Sequence, residues 1–117
     1  MDARNSIFAG NRAATEPDIA GKLILDGYNL IQNPAHAILV RRDRASTNYI
    51  GMLIKVGPLQ ENGGPTKTIA LLQGSLAIDK IPRDACLLES ISTDQRGIIR
   101  PQGPACDIGA YEYAPPK

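Results

Sequence analysis

Asp18-Ile-Ala-Gly-Lys-Leu-Ile-Leu-Asp-Gly-Tyr-Asn-Leu-Ile31 is the stretch on which the fold turns. Its apolar runs, Leu23-Ile24-Leu25 and Leu30-Ile31, flank Asp26-Gly27. Asp-Gly between apolar runs is the strongest short-range hairpin signal, and it equally suits a corner between consecutive strands of a stacked coil. Periodicity does not separate the two. Upstream, Asn5-Ser-Ile-Phe-Ala-Gly-Asn11 is a short strand bounded by Asn and Gly, residues that tolerate left-handed backbone and so mark corners. Downstream, Ala37-Ile-Leu-Val40 reads as a buried strand or a helical turn. Ile50, Met52, Ile54 and Val56 fall on one face of a strand at period two, which Gly57-Pro58 should end.

The remainder is rich in turns. Asn62-Gly63-Gly64 supplies positive φ, Pro65 cannot donate to a ladder, and Thr66–Leu72 forms a short apolar element before the tight connection at Gly74-Ser75. Across 117 residues there are 11 Gly and 9 Pro but no Trp, so the core must be aliphatic and the strands short. A net charge of +1 removes the electrostatic case for a nucleic-acid partner. No apolar run reaches the roughly 18 residues of a membrane span, and Met1-Asp-Ala-Arg-Asn-Ser-Ile7 lacks the apolar core of a signal peptide.

Cys86 and Cys106 read three ways: buried thiols, two ligands of a metal site, or a disulfide. A closed zinc site wants four ligands, and His36 is the single histidine. A pair bracketing a Pro- and Gly-containing stretch with little apolar periodicity reads better as a staple, stabilising by roughly 3 kcal/mol in the chain-entropy model. His36 has no nucleophile near it in sequence, so no Ser-His-Asp or Cys-His device is supported. Gly63-Gly-Pro-Thr-Lys-Thr68 lacks the Gly-Lys-Ser/Thr order of a phosphate loop. Arg41-Arg-Asp-Arg44 reads as a solvated face, with a phosphate or glycan role as the lesser alternative. Asn5, Asn11, Asn29 and Asn33 are either an internal amide ladder at stacked corners or isolated turn residues.

The carboxylates Asp79, Asp84, Asp94, Asp107 and Glu112 are the cluster to weigh for chemistry. Two of them acting as acid and base suits glycan hydrolysis, and several together suit calcium. The reading preferred here is structural. In an irregular segment, side chains must satisfy backbone groups, and the planar fork of Arg96 is suited to tying Asp94, Asp107 or Glu112 to carbonyls.

Taken in order, Gly57-Pro-Leu-Gln-Glu-Asn-Gly-Gly-Pro-Thr66, Leu71-Leu-Gln-Gly-Ser-Leu-Ala-Ile-Asp79, Thr93-Asp-Gln-Arg-Gly97, Arg100-Pro-Gln-Gly-Pro-Ala-Cys-Asp107 and Ile108-Gly-Ala-Tyr-Glu112 resemble the C-terminal region of bacterial surface proteins called choice-of-anchor Q domain proteins. Asn5–Asn11 and Gly27–Ile31 resemble the last coils of the right-handed parallel β-helix that precedes it. The chain departs from that pattern at Leu53-Ile54, where an Asp-Pro pair is usual, and at Leu76, where Pro is usual.

The resemblance implies a mainly β fold: the last coils of a right-handed, pectate-lyase-like parallel β-helix over residues 1–56, truncated at the N-terminus. A loop-rich, disulfide-stapled cap would follow over 57–113, and then a disordered tail over 114–117. It also implies a fragment of a secreted or cell-surface protein whose signal peptide lies upstream. Its partners would be upstream β-helix coils and the cell envelope. The expected function is non-catalytic, closing the end of the β-helix, with no cofactor. The alternative is a glycan-binding or glycan-cleaving module acting on polysaccharide, with calcium as the ion to consider.

Overall fold

The computed structural model describes residues 2–11, 18–19, 21–34, 37–41, 48–52, 54–88 and 92–114. The chain divides into two compact units, Met1–Ile54 and Lys55–Lys117. His36 and most of the Arg41–Arg44 cluster lie outside the described residues.

In the first unit, β1 (Asp2–Ala3), β3 (Lys22–Leu25) and β5 (Ile38–Arg41) form one parallel sheet in that order. A second parallel sheet holds β2 (Ile7–Phe8), β4 (Leu30–Ile31) and β6 (Tyr49–Ile50). Strands of the two sheets alternate along the chain, so β1–β2, β3–β4 and β5–β6 are three successive layers. Asp26-Gly27 therefore makes a corner between sheets and not a hairpin, since β3 and β4 never pair. Alternation along β3 is clean: Leu23 and Leu25 are fully buried, while Lys22 is exposed. Ala3, Ile19, Leu23, Leu25 and Ile31 form the core, and Phe8, Ala37, Leu39 and Ile50 pack against it. Columns run through the layers, as in Phe8–Ile31–Ile50 and Leu23–Leu39. Strands of two to four residues are too short to be stable singly, so these columns supply most of what holds the layers together.

Corners are joined by side-chain amides. Ser6, Asn29 and Asn48 each precede one member of the register Ile7–Leu30–Tyr49. Asn29 Oδ1 accepts the Ser6 N–H at 3.1 Å, and Asn48 Oδ1 accepts both the Asn29 N–H at 3.3 Å and its Nδ2 at 2.9 Å. Asn29 Nδ2 also donates to the Ala3 carbonyl at 2.9 Å. The ladder thus runs from Ser6 through Asn29 to Asn48, and register places Asn29, of the four candidate asparagines, in it. Asn5 sits one residue earlier in a left-handed conformation (φ 55°), as does Tyr28 in the next layer (φ 57°). Asn11 and Asn33 face the other corner, where the Asp18 carboxylate accepts the Asn11 amide and the Asn33 N–H.

The period-two strand expected from Ile50 to Val56 does not form. Gly51 (φ 77°) turns the chain directly after Ile50, and the next strand, β7 (Val56–Gln60), runs through Gly57-Pro58. Pro58 is accommodated because the ladder with β8 (Thr68–Leu71) is irregular between Val56 and Leu59, where no N–H is required. β7 and β8 are antiparallel. Beyond them, the short helix α1 (Arg83–Leu88) carries Cys86, which is disulfide-bonded to Cys106 with 6.2 Å between α-carbons. Cys106 exchanges both backbone hydrogen bonds with Ile81, so the staple reinforces an isolated bridge. Both cysteines are fully buried.

Asn29→Ala removes the acceptor of the Ser6 N–H and the lower contact with Asn48. We expect a loss of about 1–3 kcal/mol, the cost of stranding buried donors, measured by urea denaturation. Asn48→Ala should cost a similar amount, and the double variant less than the sum, because the two amides share one network.

Candidate functional site

The second unit is organised around charge. Between Thr93 and Tyr113 the chain holds three acids, Asp94, Asp107 and Glu112, and two arginines, Arg96 and Arg100. All three carboxylates are buried, Asp107 and Glu112 completely. A buried carboxylate is tolerated only when its oxygens are well supplied with donors.

Asp94 opens a tight turn in which Gly97 N–H returns to the Asp94 carbonyl. Its Oδ1 accepts the N–H groups of Arg96 (2.8 Å) and Ile98 (3.0 Å). Oδ2 accepts Arg96 Nε (3.0 Å), Arg96 Nη2 (2.8 Å) and the N–H of Glu112 (2.9 Å). One side chain thereby shapes its own turn, fixes the guanidinium and anchors the segment that carries Glu112. Burial acts to raise the Asp94 pKa, but these bonds outweigh it and hold the group below its ordinary value. Arg96 reaches onward to the carbonyls of Glu112 (2.8 Å) and Asn62 (3.4 Å), and its Cζ lies 3.8 Å from the centroid of the Tyr111 ring.

Asp107 and Glu112 are bound differently from the arrangement expected. Arg96 touches neither carboxylate. Asp107 Oδ1 accepts the Asp79 N–H (2.8 Å) and Oδ2 the Tyr113 N–H (2.6 Å). Glu112 Oε2 accepts the Asp107 N–H (3.0 Å) and Oε1 the Gln102 N–H (3.3 Å). Their counter-charge is Arg100, whose Nη1 lies 3.5 Å from Glu112 Oε2 and donates to the Asp107 carbonyl, while Nη2 donates to that of Gly109. Burial raises the pKa of both acids, more than their backbone donors and Arg100 lower it. Sequence reasoning missed Arg100. The usable signal was stoichiometric: one guanidinium does not serve three buried carboxylates.

Asp79 and Asp84 stand apart from this network. Both are exposed, and Asp79 contributes its N–H to it but not its carboxylate. Among the described residues, no group of three or more His, Cys, Asp or Glu side chains is arranged to hold a metal ion.

The turn Asn62-Gly63-Gly64 docks on this centre. Asn62 Nδ2 donates to both the carbonyl and the hydroxyl of Thr68 at 3.0 Å, closing the β7–β8 loop, and Gln95 Nε2 donates to Thr66 Oγ1 at 2.6 Å. The two glycines have different roles. Both have positive φ, 98° at Gly63 and 78° at Gly64. A β-carbon on Gly63 would meet nothing within 4 Å, whereas one on Gly64 would lie 2.6 Å from the Arg96 α-carbon. The loop rests its backbone directly on the Asp-Gln-Arg-Gly turn, which explains why the two motifs occur in one chain.

Gly63→Ala should therefore cost only the strain of a left-handed alanine, about 1–2 kcal/mol. Gly64→Ala should cost clearly more, because Arg96 must move as well; thermal unfolding of the pair checks the order. Asp94→Asn should cost about 3–5 kcal/mol at neutral pH, since Arg96 and three N–H groups lose their anionic acceptor.

The pH dependence carries a sign. The lowered pKa of Asp94 makes its contribution present above the unfolded value of about 3.9 and lost as pH falls through the folded one. The stability gap between wild type and Asp94→Asn should thus shrink on acidification. Asp107, with a raised pKa, behaves oppositely: wild type should lose stability relative to Asp107→Asn as pH rises through that raised value. Urea titrations across acidic pH read both slopes.

Compared with family models, curated proteins and solved structures, the chain matches none of them.

Proposed function

We propose that this chain is the terminal part of an extracellular, cell-surface parallel β-helix of the choice-of-anchor Q kind, and that it serves as a non-catalytic end piece near the envelope anchor. The observation that carries this reading is the register. Successive strands stack in parallel in the same chain order in two sheets, β1-β3-β5 and β2-β4-β6, with aliphatic columns and an amide ladder through the layers. After β6, the described chain changes to an antiparallel hairpin and a segment held by carboxylates and a disulfide. Stacked layers need such a change, because a repeating unit leaves its last apolar face and strand edge uncovered.

Two further observations support the reading. A fully buried disulfide fits an oxidising compartment. The oxygens of Asp94, Asp107 and Glu112 are taken up by backbone N–H groups and arginines, whereas a general acid or base must reach the substrate to give or take a proton. Among the described residues no helix is long and apolar enough to cross a membrane.

An antibody raised against residues 55–117 tests this on fractionated source cells. The expected band lies in the secreted or surface fraction, is larger than 12.5 kDa because it carries further layers, and shifts in mobility on reduction. A cytosolic band with two free thiols overturns the reading, as does purified protein that cleaves a polysaccharide.

A further inference from the structure

A cavity of about 280 Å³ opens on the second unit, lined by Gly74, Ser75, Ile78, Asp79 and Tyr113. Its two chemically distinctive residues are fixed by one buried group: Asp107 Oδ1 accepts the Asp79 N–H and Asp107 Oδ2 accepts the Tyr113 N–H. The main chain at both residues is thus held on one buried group, which sets where their side chains start on the cavity wall.

Within the same unit the protein shows what such a pair of groups can hold. Arg96 lies between the Asp94 carboxylate, at 2.8 Å, and the Tyr111 ring, at 3.8 Å. Two residues further along the chain, Tyr113 lines the cavity together with Asp79, and there no side-chain cation of the described residues is paired with the carboxylate. The Asp79 carboxylate has no hydrogen bond or ion pair to a described residue. The Lys55 ammonium stands beside Gly74, 3.4 Å from where a β-carbon would lie, without pairing with Asp79. Asp107 adds a second carboxylate behind the wall, close enough that Asp79 helps to raise its pKa after the larger effect of burial.

We propose that this cavity binds a guanidinium group supplied from outside the chain, paired with the Asp79 carboxylate and covered by the Tyr113 ring, as Arg96 is held by Asp94 and Tyr111. A charge-assisted pair and a cation–π contact are the interactions a planar cation makes best, and Ile78 supplies an apolar wall for its methylene stem. This goes beyond the end-piece reading and does not depend on it.

The test is an amide-resolved NMR titration of the full chain with N-acetyl-arginine amide, using the neutral isostere N-acetyl-citrulline amide as comparison. The expected result is saturating shifts centred on Gly74, Ser75, Asp79 and Tyr113 with the arginine probe and none with citrulline. Asp79→Asn should raise the Kd about tenfold or more, Tyr113→Leu should raise it several-fold, and Asp84→Asn should leave it unchanged. A Gly-Gly-Arg-Gly-Gly peptide distinguishes the sources: binding at least tenfold tighter than the amide indicates an arginine of another polypeptide, and equal binding indicates a free small molecule. Equal shifts from citrulline, shifts that do not saturate at these residues, or an unchanged Kd in Asp79→Asn overturns the proposal. Should Asp79→Asn not fold, Tyr113→Leu together with the loss of binding at high salt decides it.

Discussion

The Asp94 carboxylate is the point from which the second unit is built. It collects donors from three parts of the chain: its own turn, the Arg96 guanidinium and the backbone of Glu112. Each bond fixes something distant. Arg96, once oriented, supports the Asn62 carbonyl and thereby the β7–β8 loop. Glu112, once anchored, presents its own carboxylate to the Asp107 N–H, and Asp107 in turn holds Asp79 and Tyr113. A segment with few ladders must satisfy part of its backbone through side chains, and ionised acceptors form stronger bonds to N–H than neutral ones do. The consequence is a unit whose interior is as much carboxylate and guanidinium as aliphatic.

The first unit solves the same problem by repetition. Strands of two to four residues satisfy their backbone by pairing with the layers before and after, and the corners are satisfied by Asn29, Asn48 and Asp18. Its columns are mainly aliphatic, with Phe8 at one end of the column it shares with Ile31 and Ile50. The two solutions meet different needs. Repetition accommodates any number of layers but leaves its edges open, whereas an ion-paired, disulfide-stapled segment can end.

How much was legible follows from where the information lay. Asp26-Gly27 showed that the chain turns there, since Gly permits the backbone a turn requires, yet whether the partner strand was the next one or a distant one depended on pairing that no local pattern encodes. The period-two pattern from Ile50 to Val56 misled for a similar reason: it passes over Gly51, whose left-handed backbone stops the strand. Asn62-Gly63-Gly64 reads as a turn from residue type alone, but only the approach of Arg96 distinguishes Gly64 from Gly63. The structural use of Asp94 and Arg96 could be anticipated because they stand two residues apart; the partnership of Arg100 with Glu112 could not, because burial, not spacing, selects it.

By itself, then, the sequence determined the local matters: short aliphatic strands, turns at Gly and Asn, a net charge of only +1 and a turn-rich second half. These follow from backbone sterics and side-chain type, which act over a few residues. Tertiary structure alone decided that strands pair in parallel across layers, that Asn29 meets Asn48, that Cys86 reaches Cys106, and that three carboxylates share a buried network while Asp79 stays outside it. Those outcomes depend on which distant groups are brought together in a shared low-dielectric interior. There an unpaired charge is costly enough to dictate its partners, and nothing local to either residue records which partner that will be.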